Sequence, residues 1–176
     1  MLGTLLHDPR HVESSVSPVR GLGLLPVETT FLASKTTTRV VARVTAISGP
    51  LAGAAGAELS GYEIHMGQSD VSQAHRPFVI TERQGAAAED PEGAVNAQGN
   101  VLGSYLHGLF GNRAIRRALL SHLAERKGVP TDPRWGCGST SRERYDRLAD
   151  LVETSVDLAS IAKLIGCSYS TAGERR

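Results

Sequence analysis

The pattern of this chain changes character at Asn112, and that change limits the folds open to it. From Gly21 to Phe110, short strand-like runs are separated by Gly, Pro, Asn and Asp. Beyond Asn112, apolar residues recur at helical spacing. Arg39–Ile47 is rich in β-branched residues and partly alternating, and Gly61–Met66, Phe78–Thr81 and Val101–Leu106 are further strand candidates. Pro77 marks a strand entry or an edge. Gly85–Gly99, rich in Ala, Gly, Asp and Glu, reads as a loop with a turn over Asn96–Gly99. Asn112 is placed to cap a helix over Arg113–Lys127, with Ile115, Ala118, Leu119 and Leu123 as its apolar stripe and Gly128 as its stop. Ser141 starts a second helix carrying Tyr145, Leu148, Leu151, Val152 and Val156 on one face, and Asp157 caps a third that ends at Gly166. At the other end, Met1–Asp8 reads as the tail of a helix, with Leu2, Leu5 and Leu6 on one face and Pro9 stopping it. Strands followed by helices, without strict alternation, fit part of an α/β sheet domain with a helical tail.

With 176 residues, 40% of them apolar, the chain can bury a core of one domain and has room for a small appendage. A formal net charge of +1 gives no global electrostatic case for nucleic acid or an acidic membrane as partner. No apolar run approaches the roughly 20 residues of a membrane span. The N-terminus lacks the basic leader of a secretory signal. Cys137 and Cys167 are too few for a disulfide framework and have no metal-site spacing, so a reducing cytoplasm is the expected compartment and no metal is expected.

Gly103–Phe110 delivers one histidine, His107, from an apolar run onto a glycine turn. Imidazole changes charge near neutral pH, so a histidine there can take a proton from a nucleophile and return it to a leaving group. On pattern alone, His107 is as readily a strand-end histidine bonded to backbone. Glu63 and His65 lie two apart in Gly61–Gly67, which in a strand turns both to one face and leaves Tyr62, Ile64 and Met66 on the other. A carboxylate beside an imidazole fixes its tautomer, and the same spacing also describes an ordinary surface pair. His7, His11, His75 and His122 read as solvated. Neither cysteine has a base or a helix start in sequence to activate it. Gly21–Pro26 lacks the Lys-Ser/Thr of a phosphate loop and reads as a tight turn.

Five stretches in order carry a resemblance: Met1-Leu2-Gly3 with Asp8-Pro9, Gly21–Thr29, Gly61–Gly67, Gly103–Phe110 and Tyr145–Asp150. Together they resemble the C-terminal glutamine amidotransferase region of cobyric acid synthases, over Met1 to about Gly166. The resemblance implies part of a flavodoxin-like, class I (triad-type) glutaminase sheet domain over 1–128, a linker over 129–140, C-terminal helices over 141–166 and a flexible tail over 167–176. It also implies cobalamin biosynthesis: a cysteine attacks the glutamine amide, His107 shuttles the proton, and the ammonia amidates peripheral corrinoid carboxylates. ATP and Mg would act in a separate synthetase domain, with no cofactor in this chain. His65 and Glu63 would line the glutamine pocket, with Glu63 a candidate orienter of His107, because Leu109 stands where many triad glutaminases carry a glutamate. In the family, the nucleophile precedes the Met-Leu-Gly that opens this chain. The expectation is therefore a region lacking its nucleophile and synthetase domain, inactive alone and poorly soluble as a monomer.

Two other readings compete. Ile161–Ala172 resembles the core of a helix-turn-helix, which would make the tail a DNA-binding module. A non-catalytic interaction module on a glutaminase-like fold is the other.

Overall fold

The computed structural model describes residues 1–71, 74–138 and 141–167. Among the described residues there are nine strands: β1 Leu5–His7, β2 Val19–Arg20, β3 Glu28–Val44, β4 Glu58–Asp70, β5 Phe78–Arg83, β6 Ala86–Glu92, β7 Ala94–Val95, β8 Leu102–Gly103 and β9 Leu106–His107. Three α-helices follow among them: α1 Arg113–Lys127, α2 Ser141–Ser155 and α3 Leu158–Leu164. Short 3-10 segments cover Gly49–Ala54 and Leu109–Gly111. The chain is mixed α/β, as expected of part of a class I glutamine amidotransferase domain, and clusters into two units, Met1–Cys137 and Gly138–Arg176.

β3 is the spine of the sheet. One edge pairs antiparallel with β4 over nearly its whole length, and β4 then pairs antiparallel with β9. The other edge is shared: β1 runs parallel to its first residues, and β5 runs antiparallel to Val40–Val44. β2 extends the sheet beyond β1, β6 extends it beyond β5, and β7 and β8 form a separate pair. A three-residue register shift between Phe31 and Thr36 reverses which face each β3 side chain meets.

Alternation then sorts the residues. Val40, Ala42 and Val44 of β3, Leu59 of β4, Phe78 and Ile80 of β5 and Leu106 of β9 are buried together. Ile115 and Ala118 of α1, with Leu51 and Ala54 of the 3-10 segment, pack on that same face. A second cluster of Leu25, Val27, Val71 and Ala94 is closed by Leu2 and Val101.

Two stretches depart from their sequence patterns. Met1–Asp8 is extended, not helical, because its carbonyls are taken by a neighbouring segment: Leu22 N–H donates to Met1 O, Gly23 N–H to Gly3 O, and the Leu24 and Leu25 amides to Leu2 O. A Cβ on Gly3 would stand 2.0 Å from Val27 O, so the approach itself requires glycine. Tertiary hydrogen bonds here outweigh a one-sided leucine pattern. Gly85–Gly99, expected as loop, contains β6 and β7. Gln84 and Gly85 both have positive φ (51° and 85°) and close a tight two-residue hairpin, which pulls the low-propensity Ala86 and Ala87 into register with Arg83 and Glu82 of β5. The turn at Asn96–Gly99 is present, closed by Gly99 N–H donating to Asn96 O.

In the C-terminal unit, Asp157 caps α3 by accepting from Ser160 N–H at 3.0 Å, and Gly166 follows its end with φ 73°. Tyr145, Leu148, Leu151 and Val152 of α2 are exposed, as is Val156 just beyond it. The expected tail beyond Cys167 lies outside the described residues, as does the second helix of the helix-turn-helix reading. No described helix is long and apolar enough to cross a membrane.

Candidate active site

His107 closes β9 and sits opposite Tyr62 in the ladder, with its side chain exposed. Cross-strand partners share a face, so His107 lies with Tyr62 on the open face of the sheet. Glu63 sits opposite Leu106, which is buried on the other face. Glu63 and His65 do share a face, but it is the core-side face, away from His107. The register therefore separates Glu63 from the orienting role suggested for it: a one-residue offset along β4 turns the carboxylate to the opposite side of the sheet.

The turn that presents the histidine is built from backbone. Gly108 has φ 84°, a left-handed value that favours glycine. Gly61, across the ladder, is equally required, since a Cβ there would stand 2.4 Å from His107 O. Asn112 ties the two together. Its Nδ2 donates to Gly108 O, Leu109 O and Ser60 O, each at 3.1 Å, and its Oδ1 accepts from Ser60 N–H. Asn112 does stand at the N-cap of α1, but its side chain makes no capping bond because every polar atom is spent on the turn. Sequence reasoning assigned it the simpler role.

The core-side face carries a polar cluster. Glu63 is buried and receives Arg83 at two points, Nε to Oε2 at 2.8 Å and Nη2 to Oε1 at 3.3 Å. Arg83 also pairs with Asp90, and the Glu63 hydrogen bond leads the causes that raise the guanidinium above its ordinary range. His65 Nε2 lies 3.5 Å from Glu63 Oε1, and its ring lies against Tyr105 with centroids 4.7 Å apart. Tyr105 Oη is 2.6 Å from Ser69 Oγ, which is 2.7 Å from Thr29 Oγ1. His65 is thus held between a carboxylate and an aromatic ring belonging to the same Ser104–His107 segment that delivers the candidate shuttle.

Glu92, at the end of β6, was hidden in the stretch expected as loop. It is buried, its Oε1 accepts from Tyr105 N–H at 2.6 Å, and its Oε2 accepts from Ser104 Oγ–H at 2.9 Å. Burial pushes its carboxyl above the ordinary range, against those two hydrogen bonds.

A cavity of about 570 Å³ lined by His7, Glu28, Gln68, Asp70 and Arg76 opens at the far end of β4. The six steps from Tyr62 to Gln68 span roughly 20 Å of extended strand, so that cavity does not serve His107. Cys137 is exposed in the turns after α1 with its thiol 3.8 Å from Pro133 O, and Cys167 is exposed after α3. Neither occupies a strand-to-helix elbow.

Residues 1–115 match the CobB/CobQ-like glutamine amidotransferase domain. The chain is 41% identical over 165 residues to a cobyric acid synthase of Dehalococcoides mccartyi, covering 94% of this chain and 32% of that protein. It is 41% identical over 179 residues to the cobyric acid synthase of Sorangium cellulosum, and 37% over 167 residues to that of Desulforamulus reducens. Coverage is 94% of this chain in both, and 34% and 33% of those proteins. The chain spans about a third of the length of these curated relatives. The matched residues contain the hairpin β3–β4, the clamped turn and His107, and the chain belongs to the CobB/CobQ-like glutamine amidotransferase family.

Proposed function

We propose that these residues form the glutamine-hydrolysing part of a cobyric acid synthase, with His107 as the proton shuttle. The observation that carries this is the clamped turn: Gly61, Gly108 and Asn112 fix the backbone of one exposed histidine at a strand end, which is what a general acid-base group requires. A cysteine thiol attacks the carboxamide carbon of glutamine while His107 accepts the thiol proton. The same imidazolium then protonates the departing nitrogen, so ammonia leaves and a γ-glutamyl thioester remains. Water, deprotonated by His107, hydrolyses the thioester to glutamate and the free thiol. His65 and Glu63, expected to line the glutamine pocket, face the core side instead, so they would act on the site through Tyr105 and not by touching glutamine at His107.

The thiol comes from neither Cys137 nor Cys167, whose settings supply no base and no helix start. The 176 residues alone therefore release no ammonia from glutamine, since loss of a triad nucleophile costs on the order of a million-fold in turnover. The ammonia would pass to an ATP- and Mg-dependent synthetase region that amidates corrinoid carboxylates in the cytoplasm. ATP and Mg are assigned to that region and not to Gly21–Leu25, whose amides are already donated to Met1–Thr4 carbonyls and cannot cradle a phosphate.

The test is a chimera: this chain joined to the remaining two-thirds of the Dehalococcoides mccartyi synthase, which supplies the thiol. Ammonia release from glutamine is expected from the chimera and a loss of at least about a thousandfold from its H107A variant. H107A turnover within tenfold of the parent would overturn the assignment.

A further inference from the structure

We propose that Glu92 is a positioning residue for His107, acting through Ser104 and Tyr105 and never touching the imidazole. This rests on the reading of His107 as the shuttle. β9 is two residues long and lies at the edge of the sheet, held by the Tyr62 and Glu63 pairings and, just before it, by Ile64 N–H donating to Tyr105 O at 3.0 Å. So short a strand does not fix a side chain by its ladder. Between β8 and β9, Tyr105 gives its carbonyl to β4 but its amide faces away from that ladder, and there a side chain takes the place of a strand partner. Glu92 takes Tyr105 N–H on one oxygen and Ser104 Oγ–H on the other. Ser104 Oγ in turn accepts Leu106 N–H at 2.9 Å. Three consecutive residues leading into His107 thus hang from one carboxylate, while Asn112 holds the carbonyls that follow it.

Its charge environment argues against a simple stability role. Among the described residues no cation lies within ion-pair distance of Glu92, which is 5% exposed. The nearby Glu63 charge further disfavours its ionised form, and the Arg76 charge offsets this only in part. A buried carboxyl with no ion-pair partner is an expensive way to hold a loop. Two acceptors spaced to take a backbone amide and a hydroxyl at once are what the lead-in to His107 needs. The clamp also gives the fold an orienting carboxylate where Leu109 supplies none.

The experiment uses the 176-residue chain and its E92A, E92Q and E89Q variants in solution NMR, reading amide hydrogen exchange and the His107 N–H order parameter. Wild type is expected to show His107 near the rigid-backbone value of about 0.85. E92A is expected to bring it below about 0.6 and to speed exchange at Tyr105 and Leu106 at least tenfold, while Val40 and Ile80 amides keep their protection. E92Q is expected to restore both, because its amide oxygen still accepts Tyr105 N–H and its nitrogen can donate to Ser104 Oγ. Exposed Glu89 serves as the control. An unchanged His107 in E92A, or equal loosening of Val40 and Ile80, would overturn the proposal. Should E92A fail to fold, S104A removes one of the two bonds without touching Glu92, and the same local-against-global comparison decides. The chimera's H107A assay is independent, so an active H107A alongside a mobilised E92A would remove the glutaminase reading and leave the clamp.

Discussion

Replacing Gly61 by alanine adds one methyl group at the closest backbone approach to the candidate shuttle. The new Cβ would lie 2.4 Å from His107 O. Carbon and carbonyl oxygen in neighbouring strands approach to about 3.3 Å, so β9 must retreat by roughly 0.9 Å. Both pairings that hold β9, Tyr62 with His107 and Glu63 with Leu106, are strained by that movement, and Leu106 is a core residue. Overpacking of this kind costs about 1–3 kcal/mol. Taking about 2 kcal/mol, and about 2–4 °C per kcal/mol for a chain of this length, Tm falls by roughly 4–8 °C. In the chimera, a displacement near 1 Å lowers glutamine turnover by about a hundredfold, well beyond what the stability loss alone explains. The matched control is G111A, where an added Cβ meets nothing within 4 Å and φ is not positive. Calorimetry on both variants, with ammonia release from both chimeras, makes the comparison. A G61A protein that melts and turns over like G111A would refute the claim that the histidine's backbone is fixed by this contact.

N112D separates two roles for one residue. As a helix cap, aspartate would serve as well as asparagine; as a stitch it sets a carboxylate oxygen against three carbonyls now held at 3.1 Å, and urea unfolding is expected to show a loss of about 2 kcal/mol. R83M leaves buried Glu63 without its guanidinium and should cost about 2 kcal/mol, discounted because Arg83 is a third exposed; adding E63Q should recover part of it in a double-mutant cycle. Folded Glu92 keeps its proton to higher pH than in the unfolded chain, so the stability it contributes is present at low pH and lost as pH rises through its folded value. The stability of wild type relative to E92Q should accordingly fall as pH rises above the ordinary glutamate value of about 4.3 in denaturant titrations, and a flat difference would contradict the raised carboxyl.

What the sequence made legible was local. The runs over Arg39–Val44 of β3, Gly61–Met66 of β4 and Phe78–Thr81 of β5 and the Arg113–Lys127 helix with its Gly128 stop are visible because burial and backbone agree there, whereas the polar Glu28–Thr38 half of β3 is strand only through its pairing with β4. Leu123 is half exposed where the stripe predicted burial, while Ala124 is buried in its place, a small rotation of the same helix. What was hidden is non-local. No pattern within Met1–Asp8 announces that Gly21–Leu25 will take its carbonyls, and no propensity draws Ala86–Ala88 into a strand except through the Gln84–Gly85 turn. Glu92 could be found only by knowing that its neighbours in space are Ser104 and Tyr105, 12 and 13 residues away.

The register of β4 against β9 divides the candidate residues between the two faces of the sheet. His107 and Tyr62 face one way; Leu106, Glu63 and His65 face the other. A carboxylate on β4 cannot reach an imidazole through the sheet it belongs to, so orientation of His107 has to come along the chain and not across it. Tyr105 is where the two sides meet. Its ring lies against His65, its hydroxyl is bonded to Ser69, and its amide is bonded to Glu92, two residues before the histidine. Any molecule that moves His65 therefore pulls on Tyr105, and through its backbone on β9. Y105F keeps the ring and removes only the Ser69 contact, while Y105A removes the ring as well. If the coupling runs through ring packing, H107 order in the chain should survive Y105F and fall in Y105A; if the hydroxyl carries it, the two variants should behave alike.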